Sequence, residues 1–247
     1  MKYASIITAR TSSSRLPRKI LKNITKNYKS IDILIFRARK IGLPIILATS
    51  KKSYDDDLCD YVKKKHNILI FRGNEKNKIL RWYSCFNKFK ISKACMIDGD
   101  DICFDYDLYK KAIQINLKKY EIIKYPDNII TGCFMYIMQF SFIKKLNKIS
   151  KKFVDTEMIE PFIERLNSRK KYLKIEKIYK SQNIRLTLDY KEDLFFFKKI
   201  FKKFSIIEKT STVINFLIKN KKISRINFFR QKNYLNNQKK KISNMFF

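Results

Sequence analysis

Short apolar runs alternate with stretches of helical periodicity through the first hundred residues, and this alternation constrains the chain more than any other feature. Residues 3–9 read as a buried strand. From Ile31 to Ile41 the apolar residues Ile31, Leu34, Ile35, Ala38 and Ile41 fall at helical spacing, and Gly42 with Pro44 stops the helix. Residues 44–50 form a second apolar run ending in Ala48-Thr49-Ser50. Strand, loop, helix and strand in that order make a βαβ unit, whose two strands lie parallel in one sheet. The rhythm continues with a helix over 55–65, a strand over 68–71 turning at Arg72-Gly73, a helix over 78–89, a strand over 94–97 and a helix over 108–117. The expected class is α/β with a mostly parallel sheet.

After Tyr120 the alternation breaks. Strands are expected over 121–125 and 131–140 with no helix between them, then helices over 142–149 and 158–166, strands over 172–179 and 184–188, and helices over 193–204 and 212–218. The length suits one domain over 1–228. The Lys/Asn/Gln-rich tail, 229–247, reads as a frayed helix or a disordered segment.

Between the first strand and the first helix, Arg10, Arg15 and Lys19 lie in one loop with Ser12, Ser13 and Ser14. Cations that close repel one another unless an anion sits among them, and small hydroxyl residues let backbone N–H groups approach it. The loop therefore suits a polyphosphate at the carboxyl end of a parallel strand. A solvated basic loop would look the same, because 56 Lys and Arg against 22 Asp and Glu give the chain a formal charge of +34. Lysines are scattered through nearly every segment, Asn, Ile, Phe and Tyr are abundant, and Gly and Pro number four each, a profile that AT-rich codon usage produces. Nucleic acid is accordingly not the expected partner, and no nucleic-acid module is recognisable.

Two carboxylates follow apolar runs: Asp100 after Met96-Ile97, and Asp189 after Leu186-Thr187-Leu188. At strand ends both would line the crevice opposite the basic loop, and two carboxylates beside a polyphosphate suit Mg²⁺. The commoner fate of an Asp after a strand is to cap the helix that follows it. His66, the only histidine, stands at a helix end and reads as solvent-exposed, which excludes a Ser-His-Asp triad. The G-x-x-x-x-G-K-[ST] and G-x-G-x-x-G motifs are absent. Cys59, Cys85, Cys95, Cys103 and Cys133 form no C-x-x-C pair and read as reduced, buried small hydrophobes. Trp82, Tyr83 and Phe195-Phe196-Phe197 read as core and rim residues of amphipathic helices. With no apolar run near the ~20 residues of a membrane span and no leader before the first strand, a cytoplasmic protein without a membrane partner is expected.

The run Ile7-Thr8-Ala9-Arg10-x-x-Ser13-x-Arg15-Leu16-Pro17-x-Lys19-x-Leu21 resembles the amino-terminal signature of the CMP-sugar cytidylyltransferases, and the rest of the chain resembles their SpsF-like branch. The matching pieces are Leu47-Ala48-Thr49-Ser50 with Asp56-Asp57, Phe71-Arg72-Gly73-Asn74-Glu75, Leu80-Arg81-x-Tyr83, Asp98-Gly99-Asp100-Asp101, and Ile184 to Asp189 with Tyr190, Asp193 and Leu194. They stand in the family's order across most of the first 205 residues. The resemblance implies a three-layer α/β/α nucleotidyltransferase fold, Rossmann-like and of the nucleotide-diphospho-sugar transferase type, with a mostly parallel mixed sheet. It implies transfer of CMP from CTP to a small acidic sugar-like acceptor, with pyrophosphate released, for surface polysaccharide or glycan synthesis.

By the same resemblance, Arg10, Arg15, Lys19 and Asp100 would be catalytic. Ala9, Arg10, Ser13, Arg15, Lys19, Thr49, Arg72, Gly73 and Asp100 would bind the nucleotide, and Asp100 and Asp189 would hold Mg²⁺. Residues 120–180 would form the acceptor pocket or the contact of a homodimer. The chain departs from the family's pattern in four places. Arg18 replaces a glycine, adding a fourth cation to the loop, and Ile102 replaces a proline. Gly132-Cys133-Phe134-Met135 carries no carboxylate, and Met158 replaces a histidine. The rival readings are a nucleotidyltransferase of the same fold using another nucleoside triphosphate, and a basic nucleic-acid-associated protein on a decayed enzyme fold.

Overall fold

The computed structural model describes residues 2–115, 119–180 and 183–246. Its frame is a seven-stranded sheet of order β3-β2-β1-β4-β6-β5-β7. β1 (Tyr3–Thr8), β2 (Ile45–Ser50), β3 (Leu69–Gly73) and β4 (Lys93–Asp98) run parallel, as the βαβ alternation requires. β6 (Tyr136–Gln139) is antiparallel to both β4 and β5 (Ile122–Lys124), and β7 (Lys170–Tyr172) extends the edge parallel to β5.

Successive residues of a strand face opposite sides of the sheet, so the central strands feed two apolar layers. Ile7, Leu47, Cys95 and Ile97 pack on one side with α1 (Ser30–Arg39), α2 (Asp56–His66), α4 (Tyr106–Ile113), α7 (Lys191–Lys203) and α8 (Thr210–Lys219). Ile6, Ile46, Ala48 and Met96 pack on the other with α3 (Lys78–Lys88), α5 (Phe140–Ser150) and α6 (Glu160–Arg165). This is the expected three-layer α/β/α arrangement with a mostly parallel mixed sheet. Arg37, fully buried on α1, donates to the carbonyls of Phe104, Ile206 and Glu208, tying the first helix to the loop before α8. All five cysteines are buried and free. No described helix is long and apolar enough to cross a membrane.

The second half departs from expectation. Of residues 131–140 only Tyr136–Gln139 is strand. Residues 172–179 give a short strand ending at Tyr172 and a 3-10 turn at Lys177–Tyr179. The run 184–188 is buried but joins no sheet among the described residues. Its backbone is instead satisfied singly, Leu186 N–H by the Thr131 carbonyl at 2.9 Å and Leu188 N–H by that of Asp100 at 2.8 Å. Apolar composition reports burial, and burial here is achieved without strand pairing.

The helix expected over 108–117 spans Tyr106–Ile113, capped by the Asp105 carboxylate, and Leu117 lies outside the described residues. That expected over 158–166 starts at Glu160. His66 is buried, not exposed: its Nε2 lies 2.6 Å from Asp32 Oδ1 of α1, which draws the end of α2 inward. A further helix, α9 (Lys221–Phe228), precedes α10 (Arg230–Phe246), which the tail forms.

Candidate active site

The carboxyl ends of β1 and β4 open into a cleft of about 140 Å³ lined by Ala9, Arg10, Ser13, Arg15, Lys19 and Asp100 among others. Close approach of the two strand ends needs a glycine, since a Cβ on Gly99 would stand 2.7 Å from that of Ala9 and 2.9 Å from the Thr8 carbonyl. Trp82, fully buried on α3, donates its indole N–H to the Thr8 hydroxyl at 2.8 Å and steadies the floor.

The basic loop is held by a buried carboxylate. Asp55 Oδ1 accepts the Thr11 N–H at 2.7 Å and lies 2.8 Å from its hydroxyl, while Oδ2 accepts the Ser50 hydroxyl at the end of β2. The Arg18 N–H closes the loop on the Thr11 carbonyl at 3.1 Å. At Arg18 the backbone enters the left-handed region, φ 53°, where glycine carries no steric cost. Its side chain is half exposed and pairs with Asp57 at 2.7 Å, away from the cleft. The fourth loop cation therefore stands outside the cleft: the position asks for a backbone geometry, and the guanidinium points elsewhere.

Lys19 stands between the two carboxylates, its Nζ 3.1 Å from Asp100 Oδ2 and 2.9 Å from Asp189 Oδ1. Arg15 pairs with the same Asp189 oxygen, and Arg185 reaches Oδ2 at 2.8 Å. Burial alone would raise the Asp189 carboxyl, but the charges of Lys19, Arg15 and Arg185 hold it well below the usual carboxylate range. Lys19 is also buried, yet Asp100 and Asp189 keep its ammonium charged by raising it above the ordinary lysine value. Asp193 secures the turn from below, accepting the N–H groups of Asp189 at 2.8 Å and Tyr190 at 2.9 Å while holding Arg185.

On the far wall Arg10 donates to the Glu75 carbonyl at 2.7 Å and pairs with Glu157. Burial acts to raise the Glu157 carboxyl, but Arg10, Lys78, Lys241 and Arg81 together draw it down to about 2. Lys78 Nζ lies 2.6 Å from Asp98 Oδ1. Arg81 is buried, its Nε without a hydrogen-bond partner among the described residues, and burial together with the Arg10 charge lowers it to about 10. Asp101 is pushed well above the ordinary carboxylate value by burial and by its neighbours Asp100 and Asp98.

The cleft thus gathers six cations (Arg10, Arg15, Lys19, Lys78, Arg81 and Lys241) around three carboxylates (Asp98, Asp100 and Glu157), an arrangement suited to a polyanion. Asp100 and Asp189 offer the oxygen donors that a hard divalent cation takes, although a cation would displace Lys19 from them. Among the described residues no group of three or more His, Cys, Asp or Glu gathers for a metal, so such a cation would rest on these two carboxylates, phosphate oxygens and water. The set fits magnesium, which keeps several waters.

Thr49, Arg72 and Gly73 stand at the ends of β2 and β3 and do not line this cleft. Arg72 donates to the carbonyls of Ser50 at 3.0 Å and Lys52 at 2.8 Å and pairs with Asp56, while the buried Thr49 hydroxyl has no partner among the described residues. Sequence reasoning missed Lys78, Arg81, Asp98, Glu157 and Lys241. One signal was available for Lys78, which opens α3 where the helix dipole disfavours a cation. Lys241 sits in the tail, where nothing in its neighbourhood distinguishes it.

A second cavity, of about 390 Å³, joins the cleft and is walled by Tyr125, Phe134, Met135 and Tyr136 on one side and by Tyr234, Gln238 and Ile242 of α10 on the other. The helix is docked by Arg230 on Glu192 at 2.7 Å, Gln231 on Arg185 at 3.0 Å and Thr131 at 3.0 Å, and Asn237 on the Tyr190 hydroxyl at 3.0 Å. The Tyr234 ring centroid lies 4.5 Å from the Arg185 guanidinium and 5.9 Å from that of Arg15.

A family model described as cytidylyltransferase matches residues 4–242. An uncharacterised protein of Methanocaldococcus jannaschii is 31% identical over 243 residues, covering 95% of this chain and 98% of its own. The spore coat polysaccharide biosynthesis protein SpsF of Bacillus subtilis is 26% identical over 207 residues, 80% of this chain and 85% of its own. Among solved structures, a cytidylyltransferase from Leptospira borgpetersenii superposes with a TM-score of 0.80 at 21% identity, over 91% of this chain and 97% of that one. CMP:2-keto-3-deoxy-manno-octonic acid synthetase complexed with CTP superposes with a TM-score of 0.63 at 11% identity, over 82% of this chain and 99% of that one.

Proposed function

The chain belongs to the cytidylyltransferase family, and from that premise we propose that it transfers CMP from CTP to a hydroxyl of a sugar acid or related small acid, releasing pyrophosphate. The observation that carries this reading is Lys19 held between Asp100 and Asp189, with Arg15 on the same carboxylate. These cations sit in a cleft at the carboxyl edge of parallel strands, where ligands of open α/β sheets bind. The structural relative complexed with CTP shares this fold, and the kinship with SpsF supports a place in surface polysaccharide synthesis.

In the reaction the acceptor hydroxyl oxygen bonds to the α-phosphorus as the bond to the β-phosphate oxygen breaks, pyrophosphate leaves, and the hydroxyl proton passes to solvent. Such transfer needs positioning and charge neutralisation more than covalent help. Arg15 and Lys19 release part of their hold on Asp189 to take the triphosphate, and Arg10 and Lys78 receive it from the opposite wall. Magnesium is the proposed cofactor: Asp100 and Asp189 would hold it, and it would neutralise phosphate charge. Asp193 and Arg185 keep Asp189 in place throughout.

Pyrophosphate release from CTP, with Mg²⁺ and a panel of small sugar acids, tests the reading. It should fall at least about 100-fold in Asp100→Asn, the scale on which lost electrostatic stabilisation acts. CTP binding undiminished by loss of both Arg15 and Lys19 would remove the phosphate assignment.

A further inference from the structure

The cleft and the second cavity share six lining residues: Arg15, Lys78, Asp98, Asp100, Glu157 and Lys241. If the triphosphate fills the cleft, this junction is where its α-phosphate meets the acceptor. Two of the three junction cations are committed, Arg15 to Asp189 and Lys78 to Asp98. Lys241 has no carboxylate within ion-pair distance among the described residues, although its charge reaches Glu157. Farther in, the cavity adds Asp101, Asp127 and Glu160 and no further cation. Deep in the cavity an acceptor carboxylate would meet Asp127 and no lining cation, whereas at the junction the three carboxylates are already paired, Asp98 with Lys78, Asp100 with Lys19 and Glu157 with Arg10, and the Lys241 ammonium is left for it. Hydroxyls on the remainder of an acceptor could donate to Asp127 or reach Gln238.

The wall that brings Lys241 there is a continuous helix face. Tyr234, Leu235, Gln238, Lys241 and Ile242 are spaced one, three or four residues apart along α10, as one side of a helix requires. We propose that α10 is the acceptor-selecting wall of the site and that Lys241 binds the carboxylate of the acceptor. This rests on the cytidylyltransferase reading above and adds to it the residue that selects an acid.

Lys241 is exposed and fills no core, so Lys241→Gln and Lys241→Arg are suitable probes. CTP binding with Mg²⁺ is measured by calorimetry, and pyrophosphate release is followed with 2-keto sugar acids of six to nine carbons and with the best of them reduced at its carboxylate to the alcohol. Lys241→Gln should raise the KM for the best acid at least tenfold more than it weakens CTP binding or raises the KM for the alcohol, and Lys241→Arg should restore the acid. An acid KM within twofold of the parent's in Lys241→Gln would overturn the inference, as would a parent protein that binds CTP yet accepts none of the acids. A parent that does not bind CTP would instead remove the cytidylyltransferase reading on which the inference stands.

Discussion

The backbone N–H of Leu188 donates to the carbonyl of Asp100 at 2.8 Å, joining a segment that belongs to no strand to the loop leaving β4. This one bond brings Asp189 and Asp100, 89 positions apart in sequence, to either side of the Lys19 ammonium. The divided site is therefore built by a crossing of two loops on a rigid sheet edge, and its weak points are the groups that hold the crossing.

Lys19 is the first of these. In Lys19→Met the chain loses the cation shared by the two carboxylates, and Asp100 keeps no other ion pair among the described residues. CTP affinity measured by calorimetry should fall at least tenfold, about 1.4 kcal/mol. An affinity within twofold of the parent's would show that Lys19 only braces the loop.

Gly132 is the second. Its φ is +94°, and a Cβ there would lie 2.3 Å from the Leu186 carbonyl oxygen, inside the segment that carries Asp189. Gly132→Ala should cost roughly 2–4 kcal/mol in denaturant unfolding, through backbone strain and overpacking. Activity should fall with it, because the segment must move. Unchanged stability would mean that the approach is not as tight as described.

Arg18 should respond in the opposite direction. It holds a left-handed backbone, φ 53°, and its side chain makes one exposed pair with Asp57. Arg18→Gly removes the steric cost of the left-handed geometry and gives up a surface pair of little value. Stability should rise by about 0.5–1 kcal/mol in chemical denaturation, with CTP affinity unaltered. A loss of CTP affinity would place Arg18 at the site after all.

Much of this was legible in the chain and some was not. The parallel core could be read from β1 to β4 because strands buried on both faces are continuous apolar runs, and helices buried on one face are periodic. The run 184–188 misled because its burial comes from the apolar layer it shares with Phe196, Phe197 and Ile200 of α7, and among the described residues no strand pairs with it. Arg10, Arg15, Lys19 and Asp100, which strand ends and loop chemistry mark, come together with Asp189, which follows a buried run that is no strand. The places of Glu157 and Lys241 in the cleft could not be read this way, since they depend on how α10 and the region before α6 fold back. His66 looked exposed at a helix end, and only the tertiary pairing with Asp32 buries it.

The Arg10–Glu157 pair sets a pH dependence. The Glu157 carboxyl titrates at about 2 in the folded protein against an ordinary 4.5. A depressed carboxylate contributes stability that is present above the unfolded value and is lost as pH falls toward the folded one. The stability difference between the parent and Glu157→Gln should therefore be constant above about pH 5.5 and shrink between 4.5 and 2. Urea unfolding of both proteins across pH 2.5–7 reads it directly, and a difference that does not vary with pH would refute the pairing.

The central claim is that the cleft between the basic loop and the Asp100–Asp189 crossing receives CTP. Thermal unfolding with CTP, UTP, ATP and GTP, each with Mg²⁺, tests it most directly, because a ligand that binds only the native state stabilises it, by about 2.7 kcal/mol at 100 times its Kd. CTP should raise the Tm more than the other three, and the rise should be lost when Arg15 and Lys19 are both replaced by Ala. No rise with CTP, or a larger one with another nucleotide, would contradict the account.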